Sequence, residues 1–193
     1  MAGAALRQAT YADLESVPEH LVAEIVDGVL ETHPRPRPSH AVAAAGLAGE
    51  LIGPFQRGHG GPGGWVFMVE PELHLGPQII VPDVAGWRRE RMTALPSTPY
   101  VDLAPDWVCE ILSPSTARLD RGPKRRIYAG AGVEYPWLLD PLAREFETFS
   151  LAGEQWLLAA TIQGGEVVQA PPFDAVPFPL NDLFPFDTPS SEA

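Results

Sequence analysis

The chain is heavily punctuated, with 22 Pro and 18 Gly spread over 193 residues. Proline removes a backbone donor and glycine relaxes the backbone, so this density argues against a helical bundle and for short elements joined by many turns. The length suits one domain, or one domain with a short appendage. At 45% apolar and 20% charged residues the composition is that of a globular protein rather than a disordered one. The single cysteine, Cys109, excludes an internal disulfide framework and any multi-cysteine zinc site. No apolar run approaches the roughly 18 to 20 residues that span a bilayer, and Met1 to Leu14 lack the pattern of a secretory signal. The expectation is a cytoplasmic protein with no membrane partner.

The formal net charge of −12 first speaks against nucleic acid, since phosphate binding is driven largely by cationic side chains. Its distribution softens that. No Lys or Arg follows Arg144, so much of the acidity belongs to the C-terminal part. Upstream, Arg118, Arg121, Lys124, Arg125 and Arg126 face only Asp120 as a local acid. Such a cluster is either a solvated face or a phosphate contact.

Along the chain, Thr10 to Pro18 reads as a short helix or loop, and Asp27-Gly28 marks a tight hairpin between two apolar segments. Pro34, Pro36 and Pro38 form an extended linker before a helix capped by Ser39. In that helix Ala44, Leu47, Ala48, Leu51, Ile52 and Phe55 make one apolar stripe. Trp65 to Leu75, Gln78 to Gly86 and Asp106 to Leu112 read as strands. A helix capped by Asp120, with Pro123 in its first turn, runs to Gly130 or Gly132. Further strands follow at Tyr135 to Leu139, Glu145 to Leu151, Gln155 to Ile162 and Glu166 to Ala170. The expected fold is α/β, a mixed sheet in the middle with a C-terminal β-meander behind it.

Three residues violate the patterns around them. Asp83 interrupts the apolar run Ile79-Ile80-Val81-Pro82-Asp83-Val84, and Glu110 sits in Trp107-Val108-Cys109-Glu110-Ile111-Leu112. A carboxylate inside an apolar strand is costly unless a cation or hydrogen bonds compensate it. Lys124 is the only lysine, and it shares a helix face with Ile127, Tyr128 and Ala131. Each violation alone has a bland reading: a strand end, a local ion pair, a snorkelling stem. Together, an Asp and a Glu on neighbouring strands with a lysine nearby suit phosphodiester hydrolysis. The carboxylates would hold Mg²⁺ or Mn²⁺, and the lysine would orient or activate the attacking water or act as a positive charge.

The same residues carry a resemblance. Val81-Pro82-Asp83-Val84, the block from Pro105 to Thr116 with its Glu110-Ile111-Leu112-Ser113-Pro114-Ser115-Thr116 ending, then Asp120, Lys124, Tyr128 and Gly132-Val133, resemble the Uma-two-type restriction endonuclease family of the PD-(D/E)XK nuclease superfamily. Glu24 to Gly28 and Pro36 to His40 are similar to that family as well. The resemblance implies a restriction-endonuclease-like core, a mixed sheet flanked by helices, and metal-dependent cleavage of DNA. It implies Asp83 and Glu110 as metal carboxylates, the main-chain carbonyl of Ile111 as a further ligand, and Glu24 as an additional acid or a structural residue of the hairpin. Leu112 stands where the superfamily usually has its lysine, and Lys124 on the following helix takes that part. His40 is either a phosphate contact or a packing residue.

The reading is therefore a single restriction-endonuclease-like domain over 1–193, its core about 14–150, a strand-rich extension 145–186 and a frayed tail 187–193. Asp83, Glu110 and Lys124 would be catalytic, and Arg118, Arg121, Arg125 and His40 would hold DNA. Two rivals stay open: a catalytically silent module that binds DNA or protein, and a hydrolase of a small phosphorylated substrate. A homodimer would suit cutting two strands.

Overall fold

The computed structural model describes residues 7–186 apart from 154, so the tail expected at 187–193 lies outside the described residues. Thr10 caps the short helix α1 (Tyr11–Glu15), accepting from the Asp13 amide while the Asp13 carboxylate accepts from the Thr10 amide. Strands β1 (Leu21–Val26) and β2 (Val29–Pro34) form the predicted hairpin. Asp27 and Gly28 both have positive φ, 52° and 78°, which is what the Asp-Gly pair supplies in a two-residue turn.

Helix α2 (Pro38–Leu51) begins one residue before Ser39 and opens with proline, whose missing N–H is harmless in a first turn. Its chain continues into a π-helical turn, Ile52–Gln56. The predicted stripe is buried through Leu47, Leu51 and Phe55, each contributing about 1.5–3 kcal/mol. Gly46 lets α2 approach the C-terminal segment closely, since a Cβ there would lie 3.1 Å from Cα of Leu183.

Two of the expected strands are broken in two. Trp65 to Leu75 divides into β3 (Trp65–Val69) and β4 (Leu73–Leu75), and Gln78 to Gly86 divides into β5 (Gln78–Ile80) and β6 (Val84–Arg88). Proline stands in each break, at Pro71 and Pro82, because it cannot donate to a ladder. The halves enter different sheets. A small antiparallel sheet has the order β2-β1-β5-β4. The main sheet runs β10-β9-β8-β7-β6-β3, with β7 (Trp107–Ile111), β8 (Tyr135–Asp140), β9 (Glu145–Ala152) and β10 (Gln155–Gln163). Only its β7–β8 pair is parallel, bridged by the helical crossover between them. The expected C-terminal meander thus extends the main sheet through β9 and β10. A third, two-stranded sheet pairs β11 (Val167–Val168) with β12 (Phe178–Pro179).

The main sheet is covered on both faces. On one side α2 and the C-terminal segment around Phe173, Phe178 and Leu183 close over Trp107, Cys109, Ile111 and Trp137. On the other, Val26, Leu73 and Ile80 of the small sheet join Tyr128 and Val133 against Ala85, Trp87 and Val108. No helix among the described residues is long and apolar enough to cross a membrane.

The crossover departs from expectation. It opens with α3 (Ala117–Leu119), passes through a π-helical turn at Asp120–Lys124 that accommodates Pro123, and ends as α4 (Arg125–Gly130). Asp120, read as a cap, lies inside the helical run and is buried.

Candidate active site

Asp83 occupies the break between β5 and β6, and Glu110 lies on β7. The antiparallel register pairs Val84 with Cys109, so one further step sets Asp83 opposite Glu110. Alternation along β7 turns Cys109 into the core beneath α2 and Glu110 to the face covered by the small sheet and the crossover. The Asp83 carboxylate is held by its Oδ2 atom, which accepts from the Ile111 amide at 2.7 Å. Its Oδ1 atom lies 3.1 Å from Nε2 of His40, near the start of α2.

Lys124 reaches the same place from the crossover. Its Nζ atom lies 2.8 Å from Glu110 Oε1, 3.0 Å from Glu24 Oε1 on β1 and 3.5 Å from Asp120 Oδ1. The lysine and the first two carboxylates have side chains only 3–4% exposed. Tyr128, one helical turn beyond Lys124, donates its hydroxyl to Glu110 Oε1 at 2.5 Å. Oε1 is thus occupied twice, while Oε2 has no hydrogen-bond partner among the described residues. Glu24 Oε1 also accepts from the Val81 amide at 2.7 Å, which ties β1 to the β5–β6 break.

Burial by itself would pull the Lys124 ammonium down, but Glu110 and Glu24, with Tyr128 and Asp120, hold its pKa well above the usual lysine value. The surrounding carboxylates thus favour the charged ammonium. Burial pushes Glu110 well up, against the pull of Lys124, and Asp120 is raised for the same reasons. His40 is also raised: burial opposes its charged form, but the Asp83 carboxylate and the Ile111 main chain outweigh that.

Glu24, His40, Asp83, Glu110, Asp120 and Lys124 line one cleft of about 340 Å³, and Asp83 is the most accessible of these four acids. Glu70 joins its rim in a left-handed backbone conformation (φ 49°), and its amide donates to the Asp83 carbonyl. Among the described residues no three His, Cys, Asp or Glu side chains converge as a closed metal cage. A Mg²⁺ site does not require one, because that ion binds through one or two carboxylates and keeps several waters. Asp83, Glu110 with its unpartnered Oε2, and the adjoining Ile111 carbonyl are hard oxygen donors of that kind.

Asp83, Glu110, Ile111, Lys124, Glu24 and His40, all singled out from the sequence, are thus brought together. The arginines are not. Arg121 pairs with Glu147 on β9, and Arg125 lies over the rings of Phe149 and Trp156, at 4.6 and 5.8 Å. Arg118 is exposed and does not line the cleft. Glu147 and the rings of Phe149 and Trp156 on β9 and β10 thus hold Arg121 and Arg125 outside the cleft. Asp120 and Tyr128 were missed as site residues, although both lie four residues from Lys124 and so on its face.

The family model described as "Putative restriction endonuclease" (Uma2) matches residues 9–179. Among solved structures, a protein from Anabaena variabilis described as "a putative nuclease belonging to DUF820" superposes with a TM-score of 0.73 at 20% identity, covering 91% of this chain and 97% of that one. That likeness shows a shared fold. Among curated proteins there is no match.

Proposed function

This chain belongs to the Uma2 family, "Putative restriction endonuclease", and from that premise we propose that it is a metal-dependent endonuclease hydrolysing DNA phosphodiester bonds. The observation that carries this reading is the meeting of Asp83 and Glu110 across the β6–β7 register, with the chain's single lysine on Glu110 in the same cleft. Asp83, Glu110 and the Ile111 carbonyl are the residues that would hold Mg²⁺ or Mn²⁺, with Glu24 as a neighbouring acid. Such an ion, when bound, lowers the pKa of a water ligand and neutralises charge on the phosphate oxygens.

The chain's own residues supply the rest. Lys124 and Tyr128 both engage Oε1 of Glu110, which fixes the orientation of a carboxylate that lines the cleft. As the positive charge of the site, Lys124 would also offset negative charge developing on the pentacovalent phosphate, or orient the attacking water. His40 holds the Asp83 carboxylate in place through Nε2.

The test is nicking of supercoiled plasmid in Mg²⁺ and Mn²⁺ by the wild type, Asp83→Asn and Glu110→Gln, with binding of each metal measured by calorimetry. Both substitutions are expected to abolish nicking and weaken metal binding at least tenfold. Nicking that survives both would remove the assignment, and metal binding without DNA cleavage would favour a smaller phosphorylated substrate.

A further inference from the structure

The cleft floor is strongly acidic. Glu24, Asp83, Glu110 and Asp120 stand against Lys124, and Glu70 adds to the rim. A DNA strand approaching it needs cations at the mouth, and the arginines of the crossover are turned elsewhere. Two basic side chains at the mouth meet that need. They are Arg35 and Arg37, from the connection between β2 and α2.

That connection reads Pro34-Arg35-Pro36-Arg37-Pro38. Each proline fixes its own φ and restricts the residue before it to extended backbone, and Arg37 accordingly has φ −71° and ψ 157°. The strap is therefore stiff without helix or sheet pairing, and little backbone freedom is lost when a ligand docks on it. Neither arginine is consumed by an ion pair among the described residues. Arg37 gives no side-chain cap to α2 and is exposed, and Arg35 uses one nitrogen, donating to the Glu19 carbonyl at 2.8 Å. A guanidinium has five N–H donors, so Arg35 keeps donors for a phosphate. The linked hydroxyls of Ser113, Ser115 and Thr116 line the same cleft.

We infer that Arg35 and Arg37 are the phosphate-binding side chains of this protein, gripping the DNA backbone on the β2–α2 side of the cleft so that one phosphodiester reaches Asp83 and Glu110. The inference rests on the nuclease reading and assigns its substrate grip to the strap rather than to Arg118, Arg121 and Arg125.

The experiment measures binding of a fluorescent 20-nucleotide DNA, single-stranded and duplex, by anisotropy across a salt series in Ca²⁺, alongside plasmid nicking in Mn²⁺. The proteins are the wild type, Arg35→Gln/Arg37→Gln, Arg35→Lys/Arg37→Lys and Arg118→Gln/Arg121→Gln. Loss of two phosphate contacts lowers the slope of log K against log salt by about 1.4 for a single strand and about 1.8 for a duplex. That drop is expected for the strap glutamine variant alone, and the lysine variant should retain most of the slope. The strap variants should melt like the wild type, because their side chains are exposed; a melt lowered only in the strap glutamine variant, without a slope change, means a structural role and overturns the inference. So does a wild-type slope in that variant, or a drop confined to Arg118→Gln/Arg121→Gln, in a protein that nicks DNA. If the wild type neither binds nor nicks DNA, the nuclease reading fails first and takes the strap assignment with it.

Discussion

Replacing Lys124 with methionine removes one charge from a place that holds three buried carboxylates. Glu110, Glu24 and Asp120 lie 2.8, 3.0 and 3.5 Å from the ammonium, and none has solvent to replace it. Deleting one partner of a buried ion pair costs about 3–5 kcal/mol, because the remaining charge stays buried without compensation. Total stability for a domain is about 5–15 kcal/mol, so the loss is a large share of it. At about 2–4 °C per kcal/mol for a chain of this size, the midpoint should fall by roughly 6–20 °C. The pH dependence follows from the directions of the shifts. Lys124 is raised in the folded protein, so its stabilisation is whole at any pH below the ordinary lysine value and is lost only as pH climbs through the higher folded one. Glu110 is raised even with the ammonium present, and without it the carboxyl rises further. An acid with a raised folded pKa destabilises as pH increases from its unfolded value toward its folded one. The gap between Lys124→Met and wild type should therefore widen from pH 6 to pH 8.5. Urea unfolding followed by circular dichroism at both pH values measures it. The double variant Lys124→Met/Glu110→Gln, which removes a charge from each side, should recover at least half the loss at pH 8.5. A single-variant loss under about 1 kcal/mol, or strict additivity in the double variant, would refute the buried charge cluster.

Tyr128→Phe removes the hydroxyl that donates to Glu110 Oε1; hydrogen bonds to charged groups contribute about 1.5–3 kcal/mol, and urea unfolding should show a loss of that size, with weaker Mn²⁺ binding by calorimetry. Gly86→Ala forces a Cβ to 2.9 Å from Phe67 and 3.2 Å from Trp107, and should lower stability by about 1–3 kcal/mol in the same assay. Cys109 is fully buried and its thiol is pushed well up by burial and the nearby Asp83 and Glu110, so a disulfide reagent should leave it unmodified in the native protein at pH 8 and label it fully in denaturant.

What was legible in the sequence was whatever depends on neighbours along the chain. The Asp27-Gly28 turn needs only two residues that tolerate positive φ, the α2 stripe needs only a period of 3.6, and Asp83, Glu110 and Lys124 announced themselves by interrupting apolar surroundings. The family motif rests on the same local spellings, and the match over 9–179 agrees with it. What the sequence left open depends on partners far along the chain. Pro71 and Pro82 signal interruptions, but only the folded protein shows each interruption to be a crossing from one sheet to another, which is what brings Asp83 to the cleft. Arg121 and Arg125 spell a basic cluster, yet β9 and β10 lie close enough to claim both side chains. Asp120 and Glu24 became partners of Lys124, and Tyr128 of Glu110, because a helical crossover and an edge hairpin close over one face of the sheet. Periodicity reports which side chains leave water; which of them then meet is set by register and by the layer that covers them, and no local pattern encodes either.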